Sequence, residues 1–155
     1  MTGSKRVPEL IIACFCQEAL IERDGNISVI RVLSKWTQCG PPLPIEEPVF
    51  TIAPRLVLGF ASEIPASHSL TLSQIEPSGF INEEVQAGHV TFEAGSMLCY
   101  VSCEFPIAVR QQGIYWLEVR LDREYRTRVP LTISYEAEPP DPGRPLGGRF
   151  VTGAN

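Results

Sequence analysis

A chain of 155 residues with 44% hydrophobic and 20% charged residues has the composition of one globular domain, large enough to bury roughly two-thirds of its unfolded surface without a metal or disulfide staple. Its net charge of −5 argues against indiscriminate nucleic-acid binding, which rests on many cations neutralising phosphates. The longest apolar run, Leu10 to Cys16, is far too short to cross a bilayer, and Lys5-Arg6 is followed by Pro8-Glu9 and then Gln17-Glu18 with no small-residue cleavage site, so neither a membrane span nor a secretory signal is expected.

Two apolar segments, residues 9 to 22 and 27 to 36, flank Asp24-Gly25-Asn26, a tripeptide whose residues tolerate positive φ, and this predicts a β-hairpin. In its second arm Ile30 and Val32 are expected to point inward, with Arg31 and Lys35 outward. The first arm has competing signals. Pro8 could open a helix through Gln17-Glu18-Ala19-Leu20, but the Ile11-Ile12-Ala13-Cys14-Phe15-Cys16 block favours a strand and decides the reading. Residues 37 to 49 hold four prolines and two acids, which predicts an extended connection rather than a central strand.

Beyond it, Leu56, Leu58 and Phe60 alternate within 55 to 61, and Leu70 and Leu72 within 69 to 75, before a tight turn at Glu76-Pro77-Ser78-Gly79. Val90 and Phe92 mark a short strand at 88 to 93. Cys99, Val101, Cys103 and Phe105 share one face of another, expected to continue past Pro106 to Val109. The clearest pattern is Gly113 to Asp122, where Tyr115, Leu117, Val119 and Leu121 fall on one face and Trp116, Glu118, Arg120 and Asp122 on the other. A final strand presents Val129, Leu131, Ile133 and Tyr135.

About eight strands and no long helix predict an all-β fold, a two-sheet antiparallel β-sandwich over residues 1–137. Residues 138–155 are dominated by Pro and Gly, with too few apolar side chains to offset the entropy of ordering, which predicts a flexible tail.

The sequence offers little chemistry. Cys14, Cys16, Cys99 and Cys103 could supply four thiolates to a zinc ion, but their spacings are not those of zinc knuckles and their apolar surroundings suit small hydrophobes of a core. Five cysteines are an odd number, and with no export signal they are expected as free thiols in a reducing cytoplasm. His68 and His89 read as surface or capping residues, since neither is marked by a nucleophile motif. No P-loop, zinc-protease helix or dinucleotide fingerprint is present, so neither enzymatic activity nor a cofactor is expected. Gly147-Gly148 resembles the processed end of ubiquitin-like modifiers, and a flexible Gly/Pro linker yields the same letters.

The outward face of the last hairpin is different. Trp116, Arg120, Arg123 and Tyr125 belong to the residue types enriched at binding hot spots, and they mark the expected contact with another protein, a second copy of the chain included; a solvated, charge-laced face is the bland alternative. Leu20 to Leu33, and Gly113 to Asp122 with Val129-Pro-Leu-Thr-Ile133, resemble a family of small bacterial β-sandwich proteins of unknown function. Its members pair an apolar, Asp-Gly, apolar hairpin with a Gly-x-Tyr before a strand ending in Asp. The resemblance implies a sandwich fold and carries no active-site residues. The expected function is a non-enzymatic binding or assembly module of a bacterial cytoplasm, with a di-glycine modifier or a thiol- or metal-dependent enzyme as alternatives.

Overall fold

The computed structural model describes residues 7–42, 50–82 and 85–139, and every regular element among them is a strand. In chain order these are β1 (Glu9–Ile21), β2 (Ile27–Leu33), β3 (Lys35–Gly40), β4 (Phe50–Ile52), β5 (Arg55–Ala61), β6 (Ala66–Ile75), β7 (Val85–Phe92), β8 (Leu98–Glu104), β9 (Ile107–Val109), β10 (Gly113–Leu121) and β11 (Glu124–Ala137). The first sheet runs β2-β1-β5-β8 and the second β3-β11-β10-β6-β7, while β4 and β9 form a two-stranded ribbon.

The all-β fold agrees with the sequence reading, and its details correct it. There are eleven strands among the described residues rather than about eight, and a third small sheet accompanies the two large ones. Pro106 ends β8 and lets β9 pair separately with β4, because proline cannot donate to a continuing ladder. The segment expected as one arm over 27 to 36 divides at Ser34. There the chain leaves the first sheet, the Ser34 carbonyl accepts the amide of Thr132 at 3.0 Å, and Lys35 is already paired in the second. The resulting β3–β11 edge is parallel, so the sandwich is not wholly antiparallel. β3 stops at Gly40, before Pro41-Pro42, as an edge strand should.

The first hairpin forms where expected. Gly25 takes φ +84°, the Glu22 amide donates to the Asn26 carbonyl at 2.8 Å, and Asp24 accepts the Asn26 amide at 3.1 Å. Its phase is the reverse of the expected one. Leu33 lies opposite the core residue Phe15, whereas Val32 and Ile30 lie opposite Cys16 and Glu18. The pleat therefore turns Ile30 and Val32 to solvent, 44% and 64% exposed.

Between the large sheets, Phe15, Leu56, Leu58 and Phe60 meet Leu70, Leu72, Tyr115, Leu117, Val119, Leu121, Leu131 and Ile133. Two devices fix β10 in this core. At its start the Tyr115 hydroxyl donates to the Gln111 carbonyl at 2.9 Å and accepts the amides of Arg110 and Gln111 at 3.1 and 3.3 Å. A buried tyrosine hydroxyl bonded back to the backbone just upstream has the geometry of a tyrosine corner, a device that fixes a strand entry in β-sandwiches. At its end Asp122 and Arg123 both take positive φ, +51° and +68°, which is the two-residue hairpin turn whose twist matches the flanking strands. Turns of this type usually use Asn or Gly. Here Asp122 is tied down instead: its amide donates to the Ser69 carbonyl and its carboxylate accepts the Ser69 amide, both at 2.9 Å.

Candidate protein interface

The solvent face of the second sheet is built by the register around β10. Trp116 lies opposite Pro130 of β11 and Ile75 of β6, and Ile75 is bridged to Ile81, so an apolar row crosses the sheet. Trp116 is 38% exposed and Ile81 59%, and Ile114 and Phe80 beside them are about as open. The Glu76-to-Gly79 turn presents Phe80: Gly79 takes φ +85°, its amide donates to the Glu76 carbonyl at 2.8 Å, and the Glu76 amide donates to the Phe80 carbonyl at 2.8 Å. A groove of about 450 Å³ runs between this turn and the strand, bordered by Pro77, Ile114, Trp116 and Arg128.

One strand position further along, the character changes. Glu118 is only 6% exposed although it points away from the core, because two arginines cover it. Arg120 donates from Nε and approaches with Nη2 to Oε1, each at 2.7 Å, and Arg128 places Nε at 3.0 Å and Nη2 at 2.9 Å from Oε2. Burial alone would raise the Glu118 pKa, but the donors and charges of Arg120 and Arg128 outweigh it and hold the carboxyl below its ordinary value. The carboxylate is thus permanently charged near neutral pH, and it fixes both guanidinium planes against the sheet.

Of the four residues expected at a contact, the structure brings three together. Arg120 and Tyr125 are opposite one another across a β-bulge, Tyr125 is 55% exposed, and Arg120 Nη1 donates to the Arg123 carbonyl in the turn at 3.4 Å. Trp116 sits four residues along β10, roughly 13 Å away at the rise of a strand, beyond the Glu118 cluster. The sequence reading missed Ile75, Phe80, Ile81 and Ile114. Ile114 was visible as an outward apolar position of an alternating strand, whereas Ile75 and Ile81 reach the patch only through pairing between distant segments.

The remaining candidates separate. Cys14 and Cys16 flank the core residue Phe15 and so face outward from the first sheet, whereas Cys99 and Cys103 lie opposite Phe60 and Leu56 and pack against the core. The two pairs occupy opposite faces of one sheet and cannot converge on a metal. The core assignment holds for Cys99 and Cys103, which pack between the sheets; Cys16 is also buried, 1% exposed, but on the other face of the sheet, where Cys14 beside it is half-buried. Burial pushes the thiols of Cys14, Cys16 and Cys103 up, away from the reactive thiolate.

His89 is exposed on β7, but His68 is not a surface residue. It shares the inward face of β6 with Leu70 and Leu72, is 6% exposed, and meets Phe92 edge-on at 6.3 Å. Its Nδ1 lies 2.7 Å from Asp122 Oδ2. The alternation Ser67-His68-Ser69-Leu70 contained this placement, and only the fold brings Asp122 to it. A histidine oriented by a carboxylate is half of a catalytic arrangement, but among the described residues no hydroxyl or thiol is bonded to the ring, and the pair anchors the β10–β11 turn. Gly147 and Gly148 lie outside the described residues.

No protein-family model matches the chain, and no curated protein matches it. Among the solved structures that are similar to it, two have a TM-score of 0.39. One is the alkylpurine DNA glycosylase AlkC of Pseudomonas fluorescens bound to DNA containing an abasic-site analogue, 12% identical; the match covers 64% of this chain and spans only 27% of that one. The other is an immunoglobulin-like protein of Pseudomonas aeruginosa, 11% identical, covering 84% of this chain and 99% of that one. Likeness at this level transfers no site and no activity to these residues.

Proposed function

We propose that the chain is a non-enzymatic binding or assembly module of a bacterial cytoplasm, meeting another protein through the solvent face of its second sheet. The observation that carries this reading is the apolar row of Pro130, Trp116, Ile75 and Ile81, open to solvent at all but the half-buried Ile75 and widened by Ile114 at the groove. Several large apolar side chains gathered on one sheet face, with an aromatic at the centre and charge along one side, have the composition of an interface with its rim. Because Arg120 and Arg128 are both engaged by Glu118, contact here rests on desolvating Trp116 and its neighbours, while the guanidinium edges and Tyr125 orient the partner. The five cysteines are free, which suits a reducing compartment, and no helix among the described residues is long and apolar enough to cross a membrane.

The test is affinity capture from the source cells, comparing the parent chain with Trp116→Ala and Ile81→Asp. Both positions are exposed, so these changes should leave the fold intact. Loss of the same partner in both variants locates the contact, and its retention in both rejects this face. Arg120→Glu is a poorer control than Tyr125→Ala, since it sets a second carboxylate beside Glu118.

A further inference from the structure

We propose that a second site lies where the chain crosses from one sheet to the other, and that it binds a small organic anion: a phosphate or carboxylate carried on a flat apolar ring. A cleft of about 310 Å³ opens between the end of β1, β2, the start of β3 and the residues leading into β5, a size at the lower end for small-molecule sites. Among the described residues three cations line it, Arg31 from β2, Lys35 from β3 and Arg55 from β5, and no carboxylate does, although acids outnumber bases in the chain. Trp36, Leu33 and Pro54 supply its apolar wall. Cys16 also borders the cleft with its thiol neutral, burial raising its pKa against the pull of Arg55.

Two of these cations are uncommitted. Among the described residues neither Arg31 nor Lys35 has a carboxylate within ion-pair distance. Arg55 approaches Glu104 at 3.6 Å, a loose pair with a largely exposed partner that an entering anion can replace. The same residue type on the second sheet behaves differently, since Arg120 and Arg128 both close on Glu118.

The backbone supplies an independent observation. Arg31 takes φ +50° in the middle of β2, a conformation that costs an ordinary side chain free energy. The pairing on either side, Cys16 with Val32 and Glu18 with Ile30, keeps one constant register, so no bulge demands this conformation. What it does is hold an arginine at the lip of the cleft. A planar guanidinium beside a second and third cation is the chemistry that grips phosphate or carboxylate oxygens, and an indole wall favours a ring attached to them.

The chain has two tryptophans, so Trp116→Phe leaves Trp36 as the only indole and as a reporter inside the cleft. In that background, phenyl phosphate, benzoate, inorganic phosphate and benzyl alcohol are titrated at low salt while Trp36 emission is followed. Phenyl phosphate or benzoate should give a saturable change in the micromolar to millimolar range, inorganic phosphate a weaker one and benzyl alcohol none. Arg31→Gly and Lys35→Gln should each bind at least about tenfold more weakly. Arg31→Gly removes the guanidinium where glycine is at home, so its thermal midpoint should equal or exceed the parent's, and exposed Lys35→Gln gives the same reading should that variant misfold. No saturable response to either ring anion, unchanged affinity in the variants, or equal binding of benzyl alcohol would overturn the site. Inorganic phosphate binding as tightly as phenyl phosphate would overturn the role given to Trp36.

Discussion

The two tryptophans stand in opposite electrostatic settings. Around Trp116 each neighbouring arginine is closed onto a buried carboxylate, and what remains to be desolvated is apolar. Around Trp36 the apolar wall is small and two of three cations have no carboxylate partner among the described residues. Similar residue types therefore present different surfaces, because a cation already satisfied at 2.7 to 3.0 Å offers a ligand little new Coulomb energy, whereas an unpaired one offers most of its own. The lesson is that aromatic and basic residues cannot be read as a recognition surface until their partners are known.

Removing the carboxylate tests that contrast most strongly. Glu118→Gln should free both guanidinium groups and cost about 2 kcal/mol at neutral pH, less than a fully buried pair because the arginines are half open to water. The pH dependence has a definite sign. A carboxyl whose folded pKa lies below its unfolded value contributes its full stabilisation above the unfolded value, near 4 by ordinary reference. That contribution is lost as pH falls through the folded pKa, so the parent should lose stability in acid more steeply than Glu118→Gln in urea titrations across that range. A shallower loss in the parent would break the account of the cluster.

Trp116→Ala should lower affinity for the captured partner by about 2 kcal/mol, roughly thirtyfold, while changing the urea midpoint little, since the residue is central to the apolar row but partly exposed. Calorimetry with the identified partner checks the first figure. Tyr115→Phe separates scaffold from surface. It removes a hydroxyl that serves three backbone groups and should cost about 1.5 kcal/mol in chemical denaturation. The smallest expected effect is Arg31→Gly, a gain of at most about 1 kcal/mol from relieving positive φ, measured against Arg31→Ala, which keeps the strain. Equal stability in the two variants would remove the backbone argument for the cleft.

Much of the scaffold was legible in the chain. Strict alternation in 113 to 122 specified both faces of β10, the Asp24-Gly25-Asn26 signal specified the first hairpin, and Trp116 stood out on the wet side of its strand. The failures share one physical cause. A period of two says that neighbours point to opposite faces without saying which face is inside, and for β2 the phase was set by Leu33 pairing with Phe15. The same reason moved Cys14 and Cys16 to the outer face and hid His68 in the core.

Local preference and hydrophobic period, properties of neighbouring residues, were enough to make this an all-β chain punctuated by turns, since those forces act within a few residues. Partnership was settled by packing alone: the parallel edge between β3 and β11, the carboxylate shared by Arg120 and Arg128, the Asp122 tether on His68, and the gathering of Arg31, Lys35 and Arg55 around one cleft. Each of these joins residues whose separation along the chain says nothing of their distance in space, and Coulomb and hydrogen-bond energies depend on that distance.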